Sequence, residues 1–149
     1  MKYQQKITIN LPREEVIRKF SDPANFKHWQ KGFISMKQIN GELGAVGSQN
    51  LLNYKMGKRE IEMTETILKN DLPAEFNATY EAKGVYNIQG NKFSEHNGNT
   101  EWVTDTEFQF SGFMKMIGFL MPGTFKKQSY QFMKDFKAFA EEGKSVLNN

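Results

Sequence analysis

The chain has 149 residues, 38% of them hydrophobic and 25% charged, a balance that predicts an ordinary folded domain and excludes an intrinsically disordered protein. Its net charge of +3 comes with only three arginines and no dense basic stripe, so we expect no nucleic-acid partner. The absence of cysteine excludes disulfides and cysteine-based metal or catalytic sites. The absence of cysteine, together with the lack of a visible secretory signal, indicates a reducing, cytoplasmic location.

The beginning of the chain predicts one strand followed by two short helices. The alternation of Tyr3, Gln5, Ile7 and Ile9 in "KYQQKITIN" is typical of a strand. The segments "LPREEVIRKF" and "SDPANFKHWQ" each carry a proline where a first helical turn tolerates it, followed by apolar residues three or four apart. We therefore expect a strand, a helix and a second helix in that order.

Between residues 32 and 110 the apolar period changes to two, which predicts six further strands. Their segments are "FISMKQI", "QNLLNYKM", "REIEMTETI", "AEFNATYEAKG", "VYNIQGNKFSE" and "TEWVTDTEFQF". The Asn-Gly pair in "HNGN" is a strong hairpin signal between the last two. Strands joined by short turns predict an antiparallel sheet in which sequential neighbours pair.

The C-terminal region predicts one long amphipathic helix. From Thr124 to Gly143, apolar residues recur at spacings of three, four and seven. The preceding "FMKMIGFLM" is interpreted as a short helical lead-in, and "MPG" predicts a bend before the long helix begins. Because no linker or internal repeat divides the sequence, we expect a single α+β domain spanning residues 1–149.

This order of elements resembles the START-like helix-grip superfamily (SRPBCC), in particular its polyketide cyclase/dehydrase-like branch. The resemblance rests on "ITINLPREEVIRKFSDPANFKHW", "INGELGAVGS", "IEMTETILKNDLP" and "FKKQSYQFMKDFKAFAE", together with their spacing. It implies a helix-grip fold, in which a curved antiparallel sheet of about six to seven strands wraps around the long C-terminal helix, with two short helices after the first strand. It also implies a deep cavity that holds lipids, sterols or polyketides.

The resemblance implies binding or transport of a hydrophobic small molecule, and we expect a protein that is not an enzyme. Two alternatives stay open: a cyclase, dehydratase or hydrolase on the same scaffold, or a chaperone-activator-like interaction module. We expect no transmembrane segment, because a span needs about 20 apolar residues. Transient contact with a membrane surface stays open, as does the choice between monomer and homodimer.

The candidate ligand-binding residues are mostly large and apolar, as in small-molecule pockets generally. They are Trp29, Tyr54, Met63, Glu65, Phe76, Tyr80, Trp102, Phe110, Phe113, Met116, Ile117, Leu120 and Phe132. Among them, Phe113, Met116, Ile117 and Leu120 share helical spacing, so we expect them to face the interior while Lys115 points to water. The resemblance implies that this segment is a lid or wall of the cavity.

Glu65 is the one acidic residue that strand parity places among apolar neighbours, between Met63 and Ile67. Burying a carboxylate without a partner is costly, so three interpretations stay open. Glu65 pairs structurally with Arg59, a lysine or a tyrosine; or a bulge turns it outward; or it is the polar anchor or general acid–base of the cavity. It is the only candidate, and a weak one, for a catalytic residue.

Other chemistry is not indicated. His28 is expected at a helix end and His96 beside a hairpin turn, and neither has a metal-binding partner at ligand spacing, so we expect no metal and no cofactor. The glycines of "GELGAVG" lie between two strands rather than before a helix, which argues against a phosphate-binding loop. This loop is interpreted as either a flexible turn or a lip at the mouth of the cavity.

Overall fold

A seven-stranded antiparallel sheet, curved around a long C-terminal helix, forms most of the structure. The structure is a computed structural model and describes residues 1–148. The strands are β1 (Lys2–Ile9), β2 (Phe33–Asn40), β3 (Gln49–Met56), β4 (Arg59–Asp71), β5 (Glu75–Ala82), β6 (Val85–His96) and β7 (Asn99–Phe110). The helices are α1 (Arg13–Ser21), α2 (Phe26–Trp29), α3 (Phe113–Leu120) and α4 (Pro122–Glu142). The predicted helix-grip fold class is confirmed.

The strand order is β1-β7-β6-β5-β4-β3-β2. Strands β2 to β7 pair with their sequence neighbours, as predicted for strands joined by short turns. The first strand is the exception, because it pairs antiparallel with β7, from Lys2 opposite Glu107 to Ile9 opposite Thr100. Helices α1 and α2 carry the chain from β1 to the opposite edge of the sheet, so β1 and β2 are not neighbours.

The bend predicted at "MPG" separates α3 from α4. Met121 lies between the two helices with φ −131° and ψ 52°, outside the helical region, and Pro122 begins α4. Proline suits this place because the first turn of a helix has no intrahelical partner for its N–H group. At the other end Gly143, with φ 68°, stops α4 in the left-handed conformation that glycine adopts without strain.

The densest packing lies at one end of the sheet, where aromatic rings meet the C-terminal half of α4. Phe20 of α1 lies 5.5 Å from Trp29, 5.1 Å from Phe93 and 5.6 Å from Phe136, measured between ring centroids. Trp102 joins the same cluster at 5.5 Å from Phe136. Such edge-to-face and stacked contacts stabilise beyond the area they bury. Here α1 and α2 close the end of the sheet.

The two halves of α4 differ in burial. Met133, Phe136 and Ala140, in the second half, are at most 2% exposed. Phe125 and Phe132, in the first half, are only partly buried. The sheet therefore grips the second half of α4 closely and stands away from the first half, which leaves space between them.

Candidate functional site

The space between the concave face of the sheet and the first half of α4 is a cavity of about 580 Å³. Apolar side chains form most of its wall, contributed by the sheet, by α4 and by the short helices at the closed end. They include Leu52, Met63, Ile67 and Phe76 from the sheet, Phe125, Phe132 and Met133 from α4, Phe20 from α1, and Phe26 and Trp29 from α2. This volume lies in the range of about 300–1,000 Å³ usual for small-molecule sites.

Eight of the candidate residues line this cavity. They are Trp29, Tyr54, Met63, Glu65, Phe76, Tyr80, Trp102 and Phe132. On β4 the candidates Met63 and Glu65 both line the cavity because they share the strand parity whose side chains point inward. Contact of these residues with a ligand stays a prediction.

The expected orientation of α3 is wrong for three residues. Phe113, Met116 and Leu120 are 70%, 50% and 66% exposed, whereas Ile117 is half-buried and none of the four lines the cavity. Lys115 is exposed, as expected. Instead, the buried face of α3 is centred on Gly118 and Met114.

The cause is a close approach that only glycine allows. A Cβ atom at residue 118 would lie 2.5 Å from Cδ2 of Phe110, so α3 rests on the face of that ring through Gly118. Met114 packs on Gly84 in the turn between β5 and β6 in the same way. Phe110 itself does not line the cavity; its ring stacks on Phe108 at 5.7 Å, behind the wall.

A polar cluster crosses the apolar wall at Glu65. Asn50, Glu65 and Tyr80 are directly opposite one another on β3, β4 and β5, so the three side chains project from the same face at one level. The Asn50 Nδ2 atom donates a hydrogen bond of 3.0 Å to Glu65 Oε1. Asn87 continues the row opposite Tyr80 on β6.

Two tyrosines of the cavity wall, Tyr80 in this cluster and Tyr54 on β3, have a raised pKa. Burial raises the pKa of Tyr80, and the charge of the neighbouring Glu65 raises it further. The same two causes, in the same order, raise the pKa of Tyr54, whose hydroxyl donates a hydrogen bond of 2.5 Å to Gln30 Oε1. Both hydroxyls are therefore hydrogen-bond donors at neutral pH.

The structure excludes one of the three interpretations of Glu65, the outward bulge, and one of the partners considered for it, Arg59. Its side chain faces the cavity, and the only register shift in the β4–β5 pairing falls later, between Ile67 and Lys69, so no bulge turns it outward. Among residues 1–148 no ion pair links it to Arg59, which is exposed. Glu65 is instead held by Asn50 and lies beside Tyr80.

A second polar group in the wall contains the predicted Trp102, but its other members Asn91, Gln89 and Thr106 were not predicted. Trp102 Nε1 donates to Asn91 Oδ1 at 3.0 Å, and Asn91 Nδ2 donates to the Phe76 carbonyl at 3.0 Å. Gln89 Oε1 accepts from Thr106 Oγ1 at 2.9 Å. A signal existed in the sequence, since these β6 residues share the parity of the buried Phe93.

Two buried polar atoms of the cavity wall have no hydrogen-bond partner within the described part of the chain. They are Trp29 Nε1 and Asn50 Oδ1, on side chains that are 6% and 4% exposed. Leaving such groups unpaired costs about 1–3 kcal/mol each.

The remaining sequence candidates have structural roles. His28 stacks on Phe139, with 5.8 Å between ring centroids, and its Nδ1 lies 2.9 Å from Ser145 Oγ. No group of His, Asp or Glu among residues 1–148 is arranged to hold a metal.

In the glycine loop, Leu43 and Gly44 lie on the cavity wall, which favours the interpretation of a lip. No helix within residues 1–148 is long and apolar enough to span a membrane.

Several solved structures share the fold at low sequence identity. A conserved protein from Geobacillus kaustophilus superposes with a TM-score of 0.78 at 15% identity, covering 97% of each chain. The protein Ara h 8.0201 gives a TM-score of 0.73 at 12% identity, covering 100% of this chain and 99% of that one. The di-domain ARO/CYC protein StfQ, from the steffimycin biosynthetic pathway, gives 0.73 at 12% identity, covering 95% of this chain and 45% of that one.

No family model and no curated protein sequence matches the chain. The structural likenesses show the helix-grip fold, as the sequence resemblance implied. At these identities they carry the fold alone.

Proposed function

We propose that the protein binds a hydrophobic small molecule in the cavity between the sheet and α4, as a carrier or sensor. The observation that carries the proposal is the cavity itself: about 580 Å³ walled mainly by apolar side chains, with a polar cluster at one level. A protein that needed only a stable core would gain from filling this space, because unfilled apolar volume destabilises. The open interior gives no support to the chaperone-activator alternative.

The polar cluster supports a further part of the proposal, which concerns the orientation and chemistry of the ligand. The Tyr54 hydroxyl already donates to Gln30, while the Glu65 carboxylate on the cavity wall offers oxygen acceptors. We therefore propose an apolar body with a hydroxyl or amine at the end that meets Glu65. A ligand carboxylate placed there would suffer like-charge repulsion, which costs several kcal/mol in a desolvated site.

The first experiment identifies what the native protein carries. Purified protein is extracted with organic solvent, and the extract is analysed by mass spectrometry. We expect an apolar molecule with a hydroxyl or amine group. Empty extracts from several expression hosts, together with no binding of apolar probes, would overturn the proposal.

A second experiment tests the orientation with known probes. Decan-1-ol and decanoate compete with the fluorescent probe 1-anilinonaphthalene-8-sulfonate for the cavity. We expect decan-1-ol to compete at a concentration at least about tenfold lower than decanoate, and Glu65→Gln to abolish this preference. Glu62→Gln is the matched control, since Glu62 is exposed on the opposite face of β4. Equal competition in the unmodified protein would contradict the assigned orientation.

A second candidate function is an enzyme on this scaffold, favoured by the position of Glu65 beside Tyr80 in the cavity. A carboxylate as general base and a protonated tyrosine as hydrogen-bond donor are a usual pair for proton transfer. The likeness to StfQ, an ARO/CYC protein from a biosynthetic pathway, adds support by analogy. Incubating the extracted molecule with Glu65→Gln and unmodified protein tests it: a product formed only by the latter supports the enzyme.

A further inference from the structure

The outer face of α3 presents large apolar side chains to solvent. Phe119 is 84% exposed, Phe113 70% and Leu120 66%, while Met116 and Met121 are each 50% exposed. We call these five residues the α3 patch. Their spacing of three and four residues places Phe113, Met116 and Leu120 side by side on one face, with Phe119 next to them. A contiguous group of large exposed apolar side chains, such as these five, is typical of a contact surface.

The patch faces outward because the other side of α3 is anchored. Gly118 rests on the ring of Phe110, and Met114 packs on Gly84. The backbone N–H of Ser111 also donates to the Gly84 carbonyl at 3.0 Å, which ties the start of the helix to the β5–β6 turn. A helix fixed by one face keeps its other face exposed.

The surroundings of the patch are basic. Residues 111–134 contain four lysines and no acidic residue. Lys115, Lys126 and Lys127 are exposed, and Lys83 lies in the turn on which α3 rests. Apolar side chains combined with lysines are the composition of helices that lie in the interface of an anionic bilayer.

We propose that the α3 patch docks on the surface of an anionic lipid bilayer. Phe113, Phe119 and Leu120 enter the boundary between headgroups and acyl chains, and the lysines contact the anionic headgroups. A second copy of this chain fits the patch less well, because a symmetric contact would bring the same lysines of two copies together. Met114, on the inner side of α3, and Phe125, in the first turns of α4, both line the cavity, so docking places the cavity next to the lipid.

The proposal does not depend on the cavity being occupied, and it is tested on the full chain without an added ligand. Binding is measured by co-sedimentation with vesicles of phosphatidylcholine alone and with about 30% phosphatidylglycerol, at low and high salt. We expect binding to the anionic vesicles only, weakened by salt. Phe113→Ser with Phe119→Ser should lower the partition coefficient at least about tenfold, and Lys126→Glu with Lys127→Glu should do the same.

The matched control is Ile34→Ser with Leu147→Ser, which removes two other apolar side chains that are 50% and 61% exposed. This variant should bind the anionic vesicles as the unmodified protein does. Circular dichroism and thermal unfolding of each variant establish that it is folded. Three results would overturn the proposal: no binding to anionic vesicles at low salt, equal binding by the Phe113→Ser, Phe119→Ser variant, or self-association through the patch without vesicle binding.

Discussion

Glu65 on β4 lies directly opposite Tyr80 on β5, inside a cavity whose wall is otherwise mainly apolar. The charge of this carboxylate acts on the Tyr80 hydroxyl and on that of Tyr54, and it adds to the effect of burial in raising the pKa of both. A sheet folded for packing alone would place apolar residues at this level, since a buried charge is costly. The pair is therefore the feature that most distinguishes this interior from an ordinary core.

A titration of the tyrosines tests this arrangement. Of the five tyrosines, Tyr54 and Tyr80 should stay protonated at about pH 11, above their ordinary pKa of about 10. Glu65→Gln removes one cause of the shift and leaves burial, so both groups should titrate at lower pH than in the unmodified protein, but still above the ordinary value. Tyrosinate absorbance measures this. Glu62→Gln should leave the titration unchanged, and five tyrosines titrating together near pH 10 would contradict the structure.

The same shifts predict how stability depends on alkaline pH. Because the folded-state pKa of Tyr54 and Tyr80 is raised, the contribution of the protonated hydroxyls is fully present below about pH 10 and is lost as pH rises through the folded-state pKa. Urea unfolding between about pH 8 and pH 11 should show this fall. In Tyr54→Phe, Tyr80→Phe protein the fall should be smaller, and an identical fall would contradict the assignment.

Gly118→Ala tests the anchoring of α3. The added methyl group would overlap the ring of Phe110, so we expect a loss of about 1–3 kcal/mol in the free energy of unfolding or detachment of α3. Gly123→Ala is the matched control, because Gly123 is also helical and nothing lies within 4 Å of a Cβ there. It should be neutral or stabilise by up to about 1 kcal/mol. Equal effects in urea unfolding would show that α3 is not seated on Phe110.

Asn91→Ala tests the deeper polar group. It leaves Trp102 Nε1 and the Phe76 carbonyl without their partner, so we expect a loss of about 1–3 kcal/mol in the free energy of unfolding. Adding Trp102→Phe removes one of the orphaned groups. The double variant should therefore lose less than the sum of the two single losses, and strict additivity in urea unfolding would show that the two side chains do not interact.

Glu141 ties α4 to the end of β1. Its carboxylate accepts hydrogen bonds from Lys137 Nζ at 2.6 Å and the Asn10 backbone N–H at 2.9 Å. Burial, the largest single effect, acts to raise the pKa of Glu141, but these hydrogen bonds together outweigh it and the pKa is lowered. The stabilisation is therefore present above the unfolded-state pKa, near 4.3, and is lost as pH falls through the folded-state value.

Glu141→Gln should consequently lower the free energy of unfolding by about 1.5 kcal/mol at neutral pH, with a much smaller difference near pH 3. Glu142→Gln is the control, since its pair with Lys144 is exposed on both sides and contributes about 0–1 kcal/mol. A Glu141→Gln effect that is the same at both pH values would contradict the ionic origin of the contact.

Sequence periodicity predicted the strands and placed Glu65 among inward-facing apolar neighbours, because alternation along β4 assigns each side chain to one face, but it left open a bulge that would turn Glu65 outward. It did not predict the partner of Glu65. That partner, Asn50, follows from the register of β3 against β4, which depends on the turn geometry at residues 57 and 58. Long-range register is decided by the assembled sheet rather than by either strand alone.

The error on α3 has a different origin. Apolar residues at helical spacing indicate a face but not whether protein, lipid or another chain covers it. Gly118 determines the orientation of α3. Because glycine has no side chain, the helix approaches the Phe110 ring more closely than it could with any apolar side chain at this position. Local sequence patterns also do not predict the volume of the cavity, because that volume depends on the distance between the curved sheet and the first half of α4.

The methionines offer the most direct test that a ligand enters the cavity. Of the eight, Met36, Met56, Met63, Met114 and Met133 line the cavity, whereas Met1, Met116 and Met121 do not. In protein labelled with ¹³C at the methionine methyl groups, titration with decan-1-ol is followed by nuclear magnetic resonance. We predict that the lining methionines shift and that Met1, Met116 and Met121 keep their positions. Shifts confined to Met116 and Met121, or no shifts at all, would contradict binding in the cavity.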